Sequence, residues 1–106
     1  MATQTYWGKS QTAKKITDGI IFYTTASHGG FHVSKKLNQQ IHWGWRREDG
    51  WYEEDCEWSI VVLTFPTLFH ADEVHQAHLI AQREYHSFYC HLFRRTEAKN
   101  SVRVEC

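Results

Sequence analysis

Proline occurs once in 106 residues, at Pro66, and no low-complexity stretch interrupts the chain. Without a linker to divide it, the chain reads as one domain, spanning 1–106, of a size that can bury its own core. Excess charge of either sign is also missing, since 12 basic residues balance 12 acidic ones. That removes the basic footprint on which non-specific nucleic-acid binding depends, so no direct nucleic-acid partner is expected. No apolar run is long enough to cross a membrane. The start, Met1 to Thr5, lacks the apolar core of a secretory leader. Cysteine is scarce, odd in number and never paired as CxxC (Cys56, Cys90, Cys106). A disulfide framework is therefore not expected, which favours a reducing compartment and a cytoplasmic setting.

What is present is aromatic. Hydrophobic residues make up 42% and aromatic residues 15%, with five tryptophans, which excludes disorder for the body of the chain. Eight histidines would make it cationic below about pH 6. Ile16 to Thr25 predicts a hairpin, because Asp18-Gly19 is a turn signal flanked by β-branched and aromatic residues. Ser27-His28-Gly29-Gly30 reads as a break with positive-φ glycines, and Phe31 to Val33 resumes a strand. Ser34 can cap a short helix over 35–41, and 43–50 reads as a loop with its own Asp-Gly turn. The stretch 53–65 reads two ways: Ile60 to Phe65 has strong β propensity, but Trp58, Val61, Val62 and Phe65 also fall at helical spacing behind acidic residues, and the helix, ended by Pro66, is the reading chosen. Over 72–94, an apolar stripe runs from Val74 through Ala77, Ala81, Tyr85 and Phe88 to Leu92, predicting one long helix capped by Asp72. Residues 1–15 look mobile apart from Tyr6-Trp7, which could start a strand or form an aromatic lid. Residues 96–106 form a tail in which Val102 and Val104 could add an edge strand. The expected fold class is α+β, a small antiparallel sheet packed against two main helices.

The chemistry concentrates in Gly50-Trp51-Tyr52-Glu53-Glu54-Asp55-Cys56-Glu57-Trp58, four carboxylates and a thiol among large aromatics. Like charges at this density require a positive answer, from helix amides, Arg46, Arg47 or Lys35, or a bound cation. His28 beside Gly29 and Gly30 can face the acids as an acid/base or ligand-orienting group, with the glycine amides open to an anion. Cys56 with His28 and Asp55 would be the catalytic set of a small enzyme. The flanking acids disfavour its thiolate, so a buried structural thiol is the simpler reading. His28 or His32 with Glu53, Glu54 or Asp55 would suit a divalent ion, as would His75 with His78, but no diagnostic metal spacing is present. No metal and no cofactor is assigned. Trp43, Trp45, Trp51 and Trp58, with Tyr52, read as core packing or as the floor of a ligand pocket. His75, His78, Gln82 and His86 share a second face of the long helix, expected to be solvated or half-buried.

Taken in order, Tyr6-Trp7-Gly8, Asp18-Gly19-Ile20, Thr25 to Gly30, Trp51 to Trp58 and Phe65-Pro66 resemble a family of small domains from phages, plasmids and other mobile elements whose function is unknown. The resemblance covers about residues 6 to 70, and the SHGG and WYEEDCEW segments together carry it. It implies a bacterial cytoplasm and a mobile-element gene, a setting in which small proteins often counter host defence, anti-CRISPR proteins among them. The leading expectation is a non-enzymatic binder that inhibits a host defence protein with a basic surface. Glu48, Asp49, Glu53, Glu54, Asp55 and Glu57 would mimic nucleic-acid phosphates. The alternative is a small enzyme or ligand sponge whose pocket joins His28, Gly29 and Gly30 to Glu54, Asp55 and Cys56.

Overall fold

The computed structural model describes residues 2–93. Their architecture is α+β. A two-stranded ribbon, β1 (Gln4–Thr5) with β2 (Gly8–Lys9), precedes a four-stranded antiparallel sheet of β3 (Thr12–Thr17), β4 (Ile20–Thr24), β5 (Gly29–Val33) and β6 (Trp51–Glu53). The strands lie in chain order, each paired with the next. Residues 2–15 thus hold β1, β2 and most of β3. The expected hairpin forms at Asp18-Gly19. Gly19 sits at φ 92°, a backbone that residues with a Cβ rarely adopt.

Strand alternation gives the sheet two faces. One carries Ile20, Phe22, Phe31, Val33 and Tyr52 towards the helices, with Phe31 opposite both Phe22 and Tyr52. The other carries Tyr23, His32, Trp51 and Glu53. Helix α2 (Trp58–Thr64) lies against β5 and β6, and α3 (Ala71–Glu84) packs across it. Five consecutive residues of α2, Ser59 to Leu63, are buried. A helix enclosed on all sides is apolar all round, which is why its sequence also reads as a strand. Pro66 ends it as expected, opening a turn of 3-10 helix.

Three expected boundaries move. The helix expected over 53–65 begins only at Trp58, because Gly50, at φ 77°, turns the chain so that 51–53 pair with β5. Tyr52 is then fully buried inside the sheet, and burial outweighs the helical placement of Glu53. The short helix α1 (Lys35–Asn38) is capped by Ser34 as expected, but ends earlier. The helix expected over 72–94 is two: α3 stops at Tyr85, whose backbone leaves the helical region, and α4 (His86–Phe93) follows. The break lets Tyr85 meet Trp45 edge-on while Tyr89 turns inward to His78, a 2.6 Å contact to its Nδ1. His78 and Gln82 are buried, so the expected solvated histidine face is corrected there. Nor does Asp72 cap α3: His70 holds that position, and its amide donates to the Glu73 carboxylate at 3.0 Å. The strand expected at Val102 and Val104 and the tail from 96 lie outside the described residues.

Candidate functional site

A cleft of about 430 Å³ opens at the β6 edge of the sheet, between its outer face, the start of α2 and the end of α3. Trp7, Trp51 and Tyr85 line it with Arg47, Glu53 and Glu57, and Tyr6, His28 and Cys56 complete its wall. Each arrives from a local device. Thr5 Oγ1 donates to the Gly8 carbonyl at 2.7 Å and accepts from the Trp7 amide at 3.1 Å, pinning the tight turn that extends Trp7. Trp7 and Trp51 meet nearly at right angles, with ring centroids 5.6 Å apart. The Trp7 ring also lies over Gly30, where any Cβ would collide with it and with the Tyr52 carbonyl.

The acids are mostly committed to the protein. Arg47 bridges Glu57 at 2.7 Å and Asp49 at 3.3 Å, and Arg46 faces Glu48 at 3.4 Å. Glu57 Oε1 accepts from the Glu53 amide at 3.1 Å, and Glu53 Oε1 accepts from the Cys56 amide at 3.0 Å. The carboxylates therefore hold the turn ahead of α2 rather than the first turn of the helix. Arg47 is itself fixed from below. Its amide donates to the Tyr52 hydroxyl at 2.9 Å, that hydroxyl donates to Asn38 Oδ1 at 2.7 Å, and Asn38 Nδ2 donates to the Arg47 carbonyl at 2.8 Å.

His28, Glu53, Cys56 and Glu57 do converge on the cleft, as the sequence suggested. Glu54 and Asp55 do not line it. Both are exposed, and Glu54 borders a separate apolar hollow of about 250 Å³ with Lys14, Phe31 and Trp58. Gly29 and Gly30 are buried residues of β5 rather than a positive-φ loop: the Gly29 carbonyl accepts from the Glu54 amide at 2.9 Å, and Gly30 pairs with Tyr23 and Glu53. Their glycine identity serves the close approach of Trp7 and of neighbouring backbone, and offers no nest of amides to an anion. His28 is held by its backbone, its amide donating to Thr25 Oγ1 at 3.1 Å. Its ring makes no hydrogen bond or ion pair among the described residues.

Cys56 is poorly suited to nucleophilic attack. Its thiol donates to Glu84 Oε1 at 3.4 Å, and burial, with Glu84 and Glu53 nearby, pushes its pKa up. Cys90 is disulfide-bonded, which corrects the expectation drawn from the odd cysteine count and removes that ground for a reducing compartment. Burial, reinforced by Glu57, Cys56, Glu53 and Glu84, raises the Tyr85 phenol to about 12. His32 lies against Trp51 with centroids 4.4 Å apart, and burial lowers its pKa against the pull of Asp49. Among the described residues no three His, Cys, Asp or Glu side chains gather as metal ligands, neither around His28 or His32 nor at His75 and His78.

The tryptophans scatter. Trp43 is 77% exposed, Trp45 packs against Phe88 and Tyr85, and Trp58 borders the core, leaving only Trp51 of that set in the cleft. In the sequence Tyr85 belongs to an apolar stripe and Arg47 answers the neighbouring acids, so neither signals a cleft. Reading 51–53 as a strand would have placed Trp51 and Glu53 together, opposite Tyr52. No helix among the described residues is long and apolar enough to cross a membrane. No curated protein and no solved structure matches the chain. The family model that does match spans residues 1–105, and the chain belongs to that family, DUF7007, a domain of unknown function.

Proposed function

We propose that this domain is a non-enzymatic small-ligand binder and that the Trp7–Trp51–Tyr85 cleft is its binding site. One observation carries the reading. Segments far apart in the chain, around Trp7, His28, Arg47, Glu53 and Tyr85, meet at one concave surface that is aromatic-walled and set with a few polar groups. That is the composition of ligand sites, and the volume falls within their usual range of about 300–1,000 Å³. Binding is preferred to turnover because Cys56 is held as a thiol and, among the described residues, no side chain hydrogen-bonds the His28 ring to orient it. In a bacterial cytoplasm, encoded on a phage or plasmid, such a domain would act in counter-defence as a ligand sponge. That setting rests on the family resemblance alone.

A second reading keeps one observation of its own. Glu54 and Asp55 are exposed side by side and make no ion pair among the described residues, so they are free to meet a basic surface on a host defence protein. The two readings separate experimentally. Wild type and Trp7→Ala, matched for fold by circular dichroism, are incubated with a small-molecule extract of host cells, and retained compounds are identified by mass spectrometry. The cleft reading expects at least one compound retained by wild type and lost in the variant. Identical profiles overturn it, and a protein partner lost in Glu54→Ala/Asp55→Ala would favour the second reading.

A further inference from the structure

We infer that the cleft takes a small organic cation, an ammonium or guanidinium compound seated in the corner between Trp7 and Trp51 with Glu53 as its counter-charge. This rests on the cleft being a ligand site.

The first support is ring geometry. Tyr6 stands at 70° to Trp7, and Trp7 at 84° to Trp51. Rings set perpendicular form a corner. A flat ligand such as a nucleobase needs two parallel faces to be sandwiched, and neither Tyr6 with Trp7 nor Trp7 with Trp51 offers a parallel pair. A rounded cationic group can instead lie on the face of one ring and against the flank of the next, drawn by the negative potential over an indole face.

The second support is the charge left over after internal pairing. Glu57 spends both oxygens on the Glu53 amide and Arg47, and Arg47 is shared between Glu57 and Asp49. Glu53 uses one oxygen on the Cys56 amide, and its other oxygen has no partner among the described residues. Glu84 stands beside Cys56, with Arg83 as its counter-ion at 3.1 Å. Four carboxylates thus surround two guanidiniums, and the unengaged acceptor belongs to Glu53. An anionic ligand would need a free cation, and the one arginine lining the cleft is already doubly paired.

The test uses choline and its neutral isostere of the same shape, 3,3-dimethylbutan-1-ol, with adenine as a flat uncharged probe. Binding is read by titration calorimetry at constant ionic strength and located by amide chemical shifts. The expected result is choline binding at least tenfold tighter than the isostere, with shifts at Trp7, Trp51 and Glu53. Glu53→Gln keeps the acceptor for the Cys56 amide and should weaken choline at least fivefold while leaving the isostere unchanged. Equal binding of choline and isostere, or adenine seated in the cleft without choline, overturns the cation inference and leaves the cleft as a ligand site. No compound of any class perturbing the cleft overturns both.

Discussion

Replacing Tyr52 by Phe removes one oxygen from the centre of the molecule and changes almost nothing else. Tyr52 is fully buried, and the phenylalanine ring fills the same space, so no appreciable cavity opens. What is lost is the bridge between β6 and the loop before it. Asn38 Oδ1 loses its donor and the Arg47 amide its acceptor. A buried group left unsatisfied costs about 1–3 kcal/mol, with the lower end fitting the half-buried arginine amide. The expected destabilisation is about 2–4 kcal/mol, a large share of the roughly 5–15 kcal/mol that holds a domain of this size. With a urea dependence of about 2 kcal/mol per molar, the middle of the usual range, the midpoint should fall by about 1–2 M. Tyr6→Phe is the control, since Tyr6 is 63% exposed and its hydroxyl makes no hydrogen bond among the described residues, and it should stay within about 0.5 kcal/mol. A Tyr52→Phe midpoint indistinguishable from that of Tyr6→Phe would refute the claim that this hydroxyl organises the loop and positions Arg47.

Further outcomes follow from other contacts. Gly30→Ala places a methyl group against the Trp7 ring and the Tyr52 carbonyl, and should cost about 1–3 kcal/mol and shift the tryptophan fluorescence; an unperturbed spectrum would contradict the packing of Trp7. Burial, with His75 adding to it, lowers the pKa of His78. The unfolded chain then binds that proton more readily, so stability should fall as pH drops below the unfolded value of about 6.5. Denaturant midpoints at pH 7.5 and 5.5 should show a flatter pH dependence for His78→Phe than for wild type, and equal slopes would contradict the buried neutral histidine. Iodoacetamide should label the Cys56 peptide slowly at pH 7.5 and faster in Glu84→Gln, as read by mass spectrometry; an unchanged rate would remove Glu84 as a cause of the raised thiol pKa.

Local signals reached some of this architecture. Asp18-Gly19 between β-branched arms was enough for the central hairpin, because turn chemistry and strand propensity act within a few residues. Ser34 and Pro66 likewise marked helix ends by local physics. Strand β6 was hidden because three residues carry too short an alternation to stand out from a run of acids, and only its pairing with β5 makes it a strand. The break at Tyr85 has neither glycine nor proline to announce it; contacts with Trp45 and the inward turn of Tyr89 decide it. The cleft was half legible. His28, Glu53, Cys56 and Glu57 come from the stretches that looked chemical, whereas Trp7 and Trp51 meet through a sheet register that no local pattern encodes. Glu54 and Asp55, equally prominent in the sequence, face away because the chain turns after Glu53.

Ligand binding in the aromatic cleft can be read from an amide chemical-shift screen of the ¹⁵N-labelled domain against a small-compound library. Hits should move Trp7, Trp51, Glu53, Cys56 and Tyr85 together, including the two indole N–H signals, and Trp7→Ala should abolish those responses. Hits that cluster instead at the hollow around Phe31 and Trp58, or shifts scattered over the surface with the cleft silent, would contradict it.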